Sequence, residues 1–279
     1  MLRLTTIVLL ALSFNSISSA HAQNLAIASF NVESDRDTRA ELVAEDFQRL
    51  PAMHVWALQE VTDQETLDLF VATVSEATGF QFAGHLGTTG GQYDDYLAIM
   101  YLEQAFTGVS FREMDEVGGG RHPLMMTATT WTGTTISFIN NHFNRGDETT
   151  REGQARRLRD YIVDHADEAI IALGTFNFDY DHQGARRGGN SAFTAFGRGD
   201  NVGWIQPMCM YNDNCPATGS QCNPHYENFL DFIFVGGVAR EWQSISDLAF
   251  IGENYCRRDG DGYSDHRPVL GQLALPAAE

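Results

Sequence analysis

Six short polar motifs adjoin apolar, strand-like runs: Ser-Phe-Asn31, Leu-Gln-Glu60, Asn-Asn-His142-Phe, Gly-Thr-Phe-Asn177, Leu-Asp231-Phe and Ser-Asp265-His266-Arg-Pro. Carboxylates, amides and imidazoles dispersed in this way act together only if the runs that carry them meet at one rim of a sheet. Their types suit a hard divalent cation and a phosphate ester. Carboxylate oxygens hold such a cation, and amides and imidazoles hold or protonate phosphate oxygens. One position is odd: Thr175 stands where the pattern leads one to expect an acid. Taken singly, each residue also has a plain structural reading. Glu60 would be a surface acid closing a strand, His142 a structural histidine, and Asp231 a buried carboxylate satisfied by backbone donors. Because a buried acid is costly unless paired or bound to a cation, it is the whole set that argues for a site.

The elements that must position these residues are legible around them. Strand-like runs cover Leu25–Phe30, Val55–Leu58, Leu97–Tyr101, Met125–Trp131, Ile136–Ile139, Ile170–Leu173, Phe232–Val235 and Val269–Leu273, with a turn expected at Gly174. Between them, Leu67, Phe70, Val71 and Val74 follow an i, i+3, i+4, i+7 stripe, and Leu158, Tyr161 and Ile162 repeat it. Strands and helices alternate without a Gly-rich dinucleotide fingerprint, and several neighbouring strands look hairpin-connected. This predicts a mixed, largely antiparallel α/β sandwich of two packed sheets with outer helices, in one domain. Asp179–Asn228 reads as a long, weakly patterned loop. Loops of that length inside a domain are usually functional or tied down.

Composition bounds the setting. Arg3, the apolar run Leu4–Leu12 and Ala20-His21-Ala22 have the order of a secretory signal peptide, so 1–22 is expected to be removed and 23–279 to fold. No later stretch is apolar enough to span a bilayer. The mature chain is expected to be a soluble monomer, secreted or periplasmic. Loss of Arg3 makes the formal net charge of −19 one unit more negative. Such acidity argues against metal-free binding of a polyanion, but a bound cation and local arginines can reverse the sign inside a cleft. Cys209, Cys215, Cys222 and Cys256 suggest two disulfides in an exported chain, with three possible pairings. Cys209–Cys215 with Cys222–Cys256 is the favoured one. A zinc site competes less well, because the paired C-x-x-C spacing is missing.

In this order, the motifs Phe-Asn31, Gln-Glu60, Asn-His142, Gly-x-Phe-Asn177, Leu-Asp231 and Ser-Asp265-His266-Arg-Pro resemble the endonuclease/exonuclease/phosphatase superfamily. Its members include pancreatic-type deoxyribonuclease, abasic-site endonucleases, neutral sphingomyelinases and inositol-polyphosphate phosphatases. The resemblance runs from about Leu25 to Leu273. It implies a four-layer α/β sandwich of two packed, mostly antiparallel sheets flanked by helices. It also implies hydrolysis of a phosphate ester that depends on magnesium or manganese. Carried over by motif, Glu60 is the main metal ligand, with Asn31 and Asp265 nearby. His142 and Asn177 contact the phosphate, and Asp231 with His266 forms a carboxylate–imidazole pair in which the acid fixes the tautomer. Tyr96 falls where relatives place a tyrosine or arginine against the phosphate. Arg145, three residues beyond His142, is the nearest fixed cation for gripping substrate. Arg151, Arg156 and Arg157 read as a solvated helix face, while Arg186 and Arg187 divide evenly between cleft and solvent.

Where the superfamily motif has Gly-Asp-x-Asn, this chain has Thr175. In relatives that carboxylate orients or deprotonates the attacking water, whereas a threonine hydroxyl is a poor base at neutral pH. Three readings follow: activity with another base such as His266 or a cation-acidified water, a degenerate relative that binds but turns over poorly, or an introduced inactivating replacement. Asp179 and Asp181 lie close in sequence as possible substitutes. The expected activity is that of an exported, metal-dependent phosphodiesterase of nuclease type working by in-line attack of water. A lipid phosphodiesterase, a phosphomonoesterase and a catalytically weakened binding protein are the alternatives. Nucleic acid stands among the candidate substrates.

Overall fold

The computed structural model describes residues 24–33, 38–91, 95–183, 187–223, 228–252 and 254–277. The expected signal peptide and Arg186 lie outside them. The first half of the chain forms β1 (Asn24–Asn31), α1 (Ala40–Arg49), β2 (Val55–Val61), α2 (Gln64–Thr78), β3 (Phe82–Leu86) and β4 (Tyr96–Leu102), followed by β5 (Phe106–Glu113), β6 (Leu124–Thr130) and β7 (Thr135–His142). Then come α3 (Glu148–Asp164), β8 (Ala169–Tyr180), α4 (Ser191–Phe196), β9 (Val202–Trp204), α5 (Met208–Tyr211), β10 (Phe229–Gly237), β11 (Ser244–Leu248) and β12 (Val269–Ala274).

Two six-stranded sheets result, ordered β11-β12-β1-β2-β4-β3 and β5-β6-β7-β8-β10-β9. Most neighbours are antiparallel. The exceptions are β1 with β2, joined through α1, and β7 with β8, joined through α3. A helical crossover is what a parallel pair requires. Helices α1 and α2 pack together outside the first sheet, and α3 and α4 outside the second, giving the four layers expected from the sequence. Strands covered on both faces read as continuous apolar runs. In β8 all ten residues from Ala169 to Phe178 are buried. Phe30 and Trp56 pack on Phe47 of α1 outside the first sheet, Phe176 and Phe232 pack on Phe196 and Phe193 of α4 outside the second, and all belong with Ile99 and Phe138 to one hydrophobic core.

Three devices set the helices and sheets in place. Asp63 caps α2 by accepting from Thr66 N, and Gly79 ends it in the left-handed conformation at φ 73°. Asp147 caps α3 through Thr150 N. Across the sheets, Asn140 Nδ2 donates to Leu58 O at 2.7 Å and Ala98 O at 2.9 Å, while its Oδ1 accepts from Gln59 Nε2 at 2.7 Å. A fully satisfied buried amide of this kind ties the sheets in one register.

Two sequence expectations change. Gly174 is not at a turn: β8 continues through it, with φ 136°. A Cβ there would overlap Asn141 O on the adjacent strand, so glycine serves the close approach of β7 and β8. The Asp179–Asn228 stretch is not a structureless loop either. It carries α4, capped by Asn190 side-chain bonds to Ala192 N and Phe193 N, then β9 on the sheet edge and the short α5. Both favoured disulfides are present, Cys209–Cys215 and Cys222–Cys256, with Cα separations of 4.7 and 5.0 Å.

Candidate phosphoester site

Parallel strands place their C-terminal ends on one rim, and that geometry gathers the motifs. Asn31 ends β1, Glu60 lies at the end of β2 and His142 ends β7. Antiparallel β10 brings in Asp231, which lies opposite Thr175 of β8. The segment entering β12 supplies Ser264, Asp265 and His266. Backbone irregularities aim these groups. The β2–β4 register shifts between Leu58 and Val61, and inside that bulge Glu60 adopts φ 65°. Asn177 and Asp179 are left-handed as well, at φ 55° and 48°. Such conformations cost on the order of 1–3 kcal/mol each and persist where surrounding structure enforces them.

Glu60 is the centre of one half of the site. Asn31 Nδ2 donates to its Oε1 at 2.9 Å, and His142 Nδ1 stands 3.6 Å from the same oxygen without a hydrogen-bond partner among the described residues. Burial raises the Glu60 pKa above the ordinary carboxylate value, against the lowering effects of the Asn31 bond and of the Arg121 and His266 charges. His142 is pushed the other way. Burial first, then the Arg121 and His266 charges, hold it well below the ordinary imidazole range, so it is neutral.

Asp231 is the centre of the other half. Its Oδ2 accepts from His266 Nδ1 at 2.7 Å and from Ser220 Oγ at 2.6 Å, and its Oδ1 accepts from Thr175 Oγ1 at 2.6 Å. Burial alone would lower the His266 pKa. The carboxylates of Asp231 and Asp265, the Asp231 hydrogen bond and Glu60 outweigh it and raise the value to about 10. His266 is therefore an imidazolium at neutral pH, with Nε2 facing Asp265 Oδ1 at 3.4 Å. Two histidines in one site thus hold opposite protonation states.

Thr175 is occupied within this network. Its proton goes to Asp231, and its oxygen lies 3.4 Å from Asn31 Nδ2. It links the two halves but has no basic lone pair of carboxylate strength. As a protonated group, His266 does not serve as the base either. Asp179 is engaged with Arg145 and, at 3.1 Å, with Asn190 Nδ2, so it does not replace the missing acid. Asp181 Oδ1 accepts from Gln183 N at 2.9 Å, beyond the end of β8. Asn177 turns its Nδ2 to Phe143 O at 2.7 Å, leaving Oδ1 and a second N–H for a ligand.

The donors at the rim are hard oxygens, dominated by one half-buried carboxylate. Among the described residues no group of three or more His, Cys, Asp and Glu is set to hold a metal. A zinc-type cage is thus not built. The arrangement does fit a cation that keeps most of its water and takes one or two carboxylates, as magnesium does. Glu60, with Asn31 and Asp265 beside it, is the set that would hold it.

The arginines are redistributed relative to expectation. Arg145 pairs with Asp179 beside the rim. Arg151 is not solvated: it is 6% exposed and donates to Asn144 O and Arg145 O. Arg157 reaches Val117 O at 2.7 Å, while Arg156 pairs with Glu152 at the surface as expected. Arg187 pairs with Asp213 in the open. Tyr96 lies opposite Val61, next to the Glu60 bulge. Sequence reading missed Arg121, which pairs with Asp95 and whose charge reaches both Glu60 and His142. A signal was present: Gly118-Gly119-Gly120-Arg121-His122-Pro123 precedes a strand, as Ser264–Pro268 does. It also missed Ser220, whose hydroxyl holds Asp231.

A family model described as "Endonuclease/Exonuclease/phosphatase family" matches residues 28–266. No curated protein matches the sequence. Solved structures with the same fold include an endonuclease/exonuclease/phosphatase from Bacteroides vulgatus, at 16% identity, TM-score 0.64, over 91% of this chain and 99% of that one. The human Nocturnin catalytic domain with bound sulfate matches at 15% identity, TM-score 0.65, over 91% and 96%. D. rerio TDP2 complexed with single strand DNA product matches at 16% identity, TM-score 0.62, over 90% and 98%.

Proposed function

The chain belongs to the endonuclease/exonuclease/phosphatase family, and from that premise we propose that it is an exported, divalent-metal-dependent phosphodiesterase acting on nucleic-acid-like diesters. One observation carries the reading. A half-buried Glu60 held by Asn31 and an Asp231–His266 pair stand in one hydrogen-bonded network, joined through Thr175. An anionic phosphoryl group beside it meets a positive charge and a cation-binding carboxylate. The DNA product bound by the D. rerio TDP2 relative supports a diester substrate. The apolar leader at 1–22 and the two disulfides support export.

In the proposed reaction, water adds to phosphorus in line with the departing ester oxygen, which leaves with a proton. Glu60, with Asn31 and Asp265 beside it, would hold the cation, which would supply Lewis-acid stabilisation and acidify water. His266, kept charged by Asp231, stabilises negative charge as it builds on the phosphoryl oxygens. Asn177 and neutral His142 orient the substrate through hydrogen bonds. Thr175 contributes position and no base, so turnover should fall short of a site with a carboxylate there by roughly 10²–10⁴-fold. That shortfall also motivates the second reading, a binder with residual turnover.

The test is hydrolysis of single-stranded DNA, RNA, sphingomyelin and a simple diester by the mature protein. Activity on nucleic acid that is abolished by chelator and by Glu60→Ala is expected. Turnover of sphingomyelin alone would replace the nuclease reading. Tight binding of nucleic acid with no turnover would select the binder.

A further inference from the structure

Two loops carry arginines at the rim, and one helix face holds both. The first loop follows β5 and contains Val117–Arg121. The second follows β7 and contains Phe143–Gly146. Gln154 on α3 is 1% exposed and spends both ends of its amide on them. Its Nε2 donates to Gly118 O at 3.0 Å, and its Oε1 accepts from Asn144 N at 2.8 Å. The approach is close enough that a Cβ at Gly119, which sits at φ 105°, would overlap Gln154 Nε2. Its neighbours on the same helix reinforce each side separately. Arg151 donates to Asn144 O and Arg145 O at 2.9 and 2.8 Å, and Arg157 Nε donates to Val117 O at 2.7 Å. Gln154 alone touches both loops through its side chain among these three.

The guanidiniums at the loop tips are themselves braced. Arg121 is paired with Asp95 and Arg145 with Asp179, and Asn190 holds Asp179. The first loop gains a further tie where His122 N donates to Thr89 Oγ1 at 3.0 Å, and Glu113 fixes Thr88 and Thr89. Neither arginine is delivered by a regular element, so their spacing depends on what joins the loops.

We propose that Gln154 is a positioning residue that fixes the distance between the Arg121 and Arg145 loops, and so sets the site's preference for substrates bearing a second phosphate beside the one attacked. This rests on the phosphoesterase reading above. A planar amide satisfied at both ends is a short, rigid spacer: without it each loop stays tied to α3 only through a long arginine side chain, so the separation of the two loops is held less tightly. Two guanidiniums at fixed separation select for two anionic groups at matching separation, because only then are both pairs made without distortion.

The experiment compares Gln154→Leu and Gln154→Glu with the parent protein. Hydrogen exchange gives a readout independent of turnover. Gln154→Leu should accelerate exchange in both 117–121 and 143–146, whereas Gln154→Glu, which still accepts from Asn144 N but no longer donates to Gly118 O, should loosen only 117–121. In kinetics, a dinucleotide with a terminal phosphate and bis-p-nitrophenyl phosphate serve as two-phosphate and one-phosphate substrates. Gln154→Leu should raise KM for the first by about tenfold, as expected for one or two lost buried hydrogen bonds, with kcat and the second substrate little changed. Equal losses on both substrates, or exchange that changes in neither loop, would overturn the proposal. If no diester is cleaved, the phosphoesterase reading fails on its own. Calorimetric titration with inorganic pyrophosphate then decides, with weaker binding by Gln154→Leu expected and unchanged binding overturning the role.

Discussion

Glu60 and Thr175 are the two residues on which the proposed chemistry turns. A carboxylate whose pKa is raised by burial opposes folding once the pH exceeds its value in the unfolded chain. Glu60→Gln keeps the Asn31 bond and removes the charge, so the metal-free variant should melt at higher temperature than the parent. Magnesium should then stabilise only the parent, by about 2.7 kcal/mol at a hundred times its Kd. Thermal melts with and without magnesium check both statements, and equal stabilisation of the two proteins would remove Glu60 from the cation site. Thr175→Asp places a second buried carboxylate against Asp231, where a hydroxyl now donates at 2.6 Å. Loss of that donor and the new repulsion should cost about 1–3 kcal/mol in urea unfolding. The crowding also raises the pKa of the new acid, which suits a general base near neutral pH. A gain in kcat on the order of 10²-fold is expected. A folded variant with unchanged kcat would mean that the missing carboxylate is not the bottleneck.

Among the elements, β8 carries the heaviest constraint. It holds Gly174, Thr175 and Asn177 in succession, pairs in parallel with β7 on one side and antiparallel with β10 on the other, and is buried through ten residues. Gly174→Ala would drive a methyl into Asn141 O and impose a conformation reserved for glycine. It should destabilise by roughly 3 kcal/mol or more. The expected readout is loss of soluble protein or a melting point lowered by many degrees. A variant melting within a degree of the parent would show that β7 can retreat. Helix α3 matters in a different way: its buried face is apolar at Ala155, Leu158 and Ile162 but polar at Arg151 and Gln154, and that polar part holds loops in place.

For the whole molecule, two long-range features set when the fold holds. The Cys222–Cys256 bridge closes a separation of 34 residues and Cys209–Cys215 one of 6. Chain entropy assigns about 4 and 2 kcal/mol to loops of these sizes. Oxidised protein should show no reactive thiol after denaturation, and reduction should lower stability by an amount of that order. Four reactive thiols in oxidised, exported material would contradict the pairing. Stability should also peak near neutral pH. His54 accepts from Ala26 N, and burial lowers its pKa to about 4, outweighing that bond. It is neutral in the fold while the unfolded chain takes up a proton near 6.5, so stability falls as pH drops from about 6.5 toward 4. His266 has the opposite sign. Its pKa of about 10 gives a contribution fully present below about 6.5 and lost as pH rises through 10. Urea titrations across pH should trace both limbs, with His54→Gln flattening the acid one and His266→Gln the alkaline one.

The sequence by itself determined the grammar of the site. Apolar runs of four to seven residues have to lie in sheets, and a polar residue at the end of each is then carried to a rim. Asn31, Glu60, His142, Asp231 and His266 were legible for that reason, as were the two helices with clear periodicity; the cysteines pointed to two bridges but left three pairings open. The three-residue β9 and the four-residue α5 were not, because elements so short show no period. Only the tertiary structure decided what each polar side chain meets. Arg151 and Arg156 lie on the same polar-rich helix, yet one is buried against loop carbonyls and the other is solvated. Gly174 looked like a turn residue until a neighbouring strand was seen to need its missing Cβ. Thr175 is the sharpest case. Its identity announced a departure from the family motif, but that its proton is committed to Asp231, 56 residues away, depends on strand register, which no local pattern encodes.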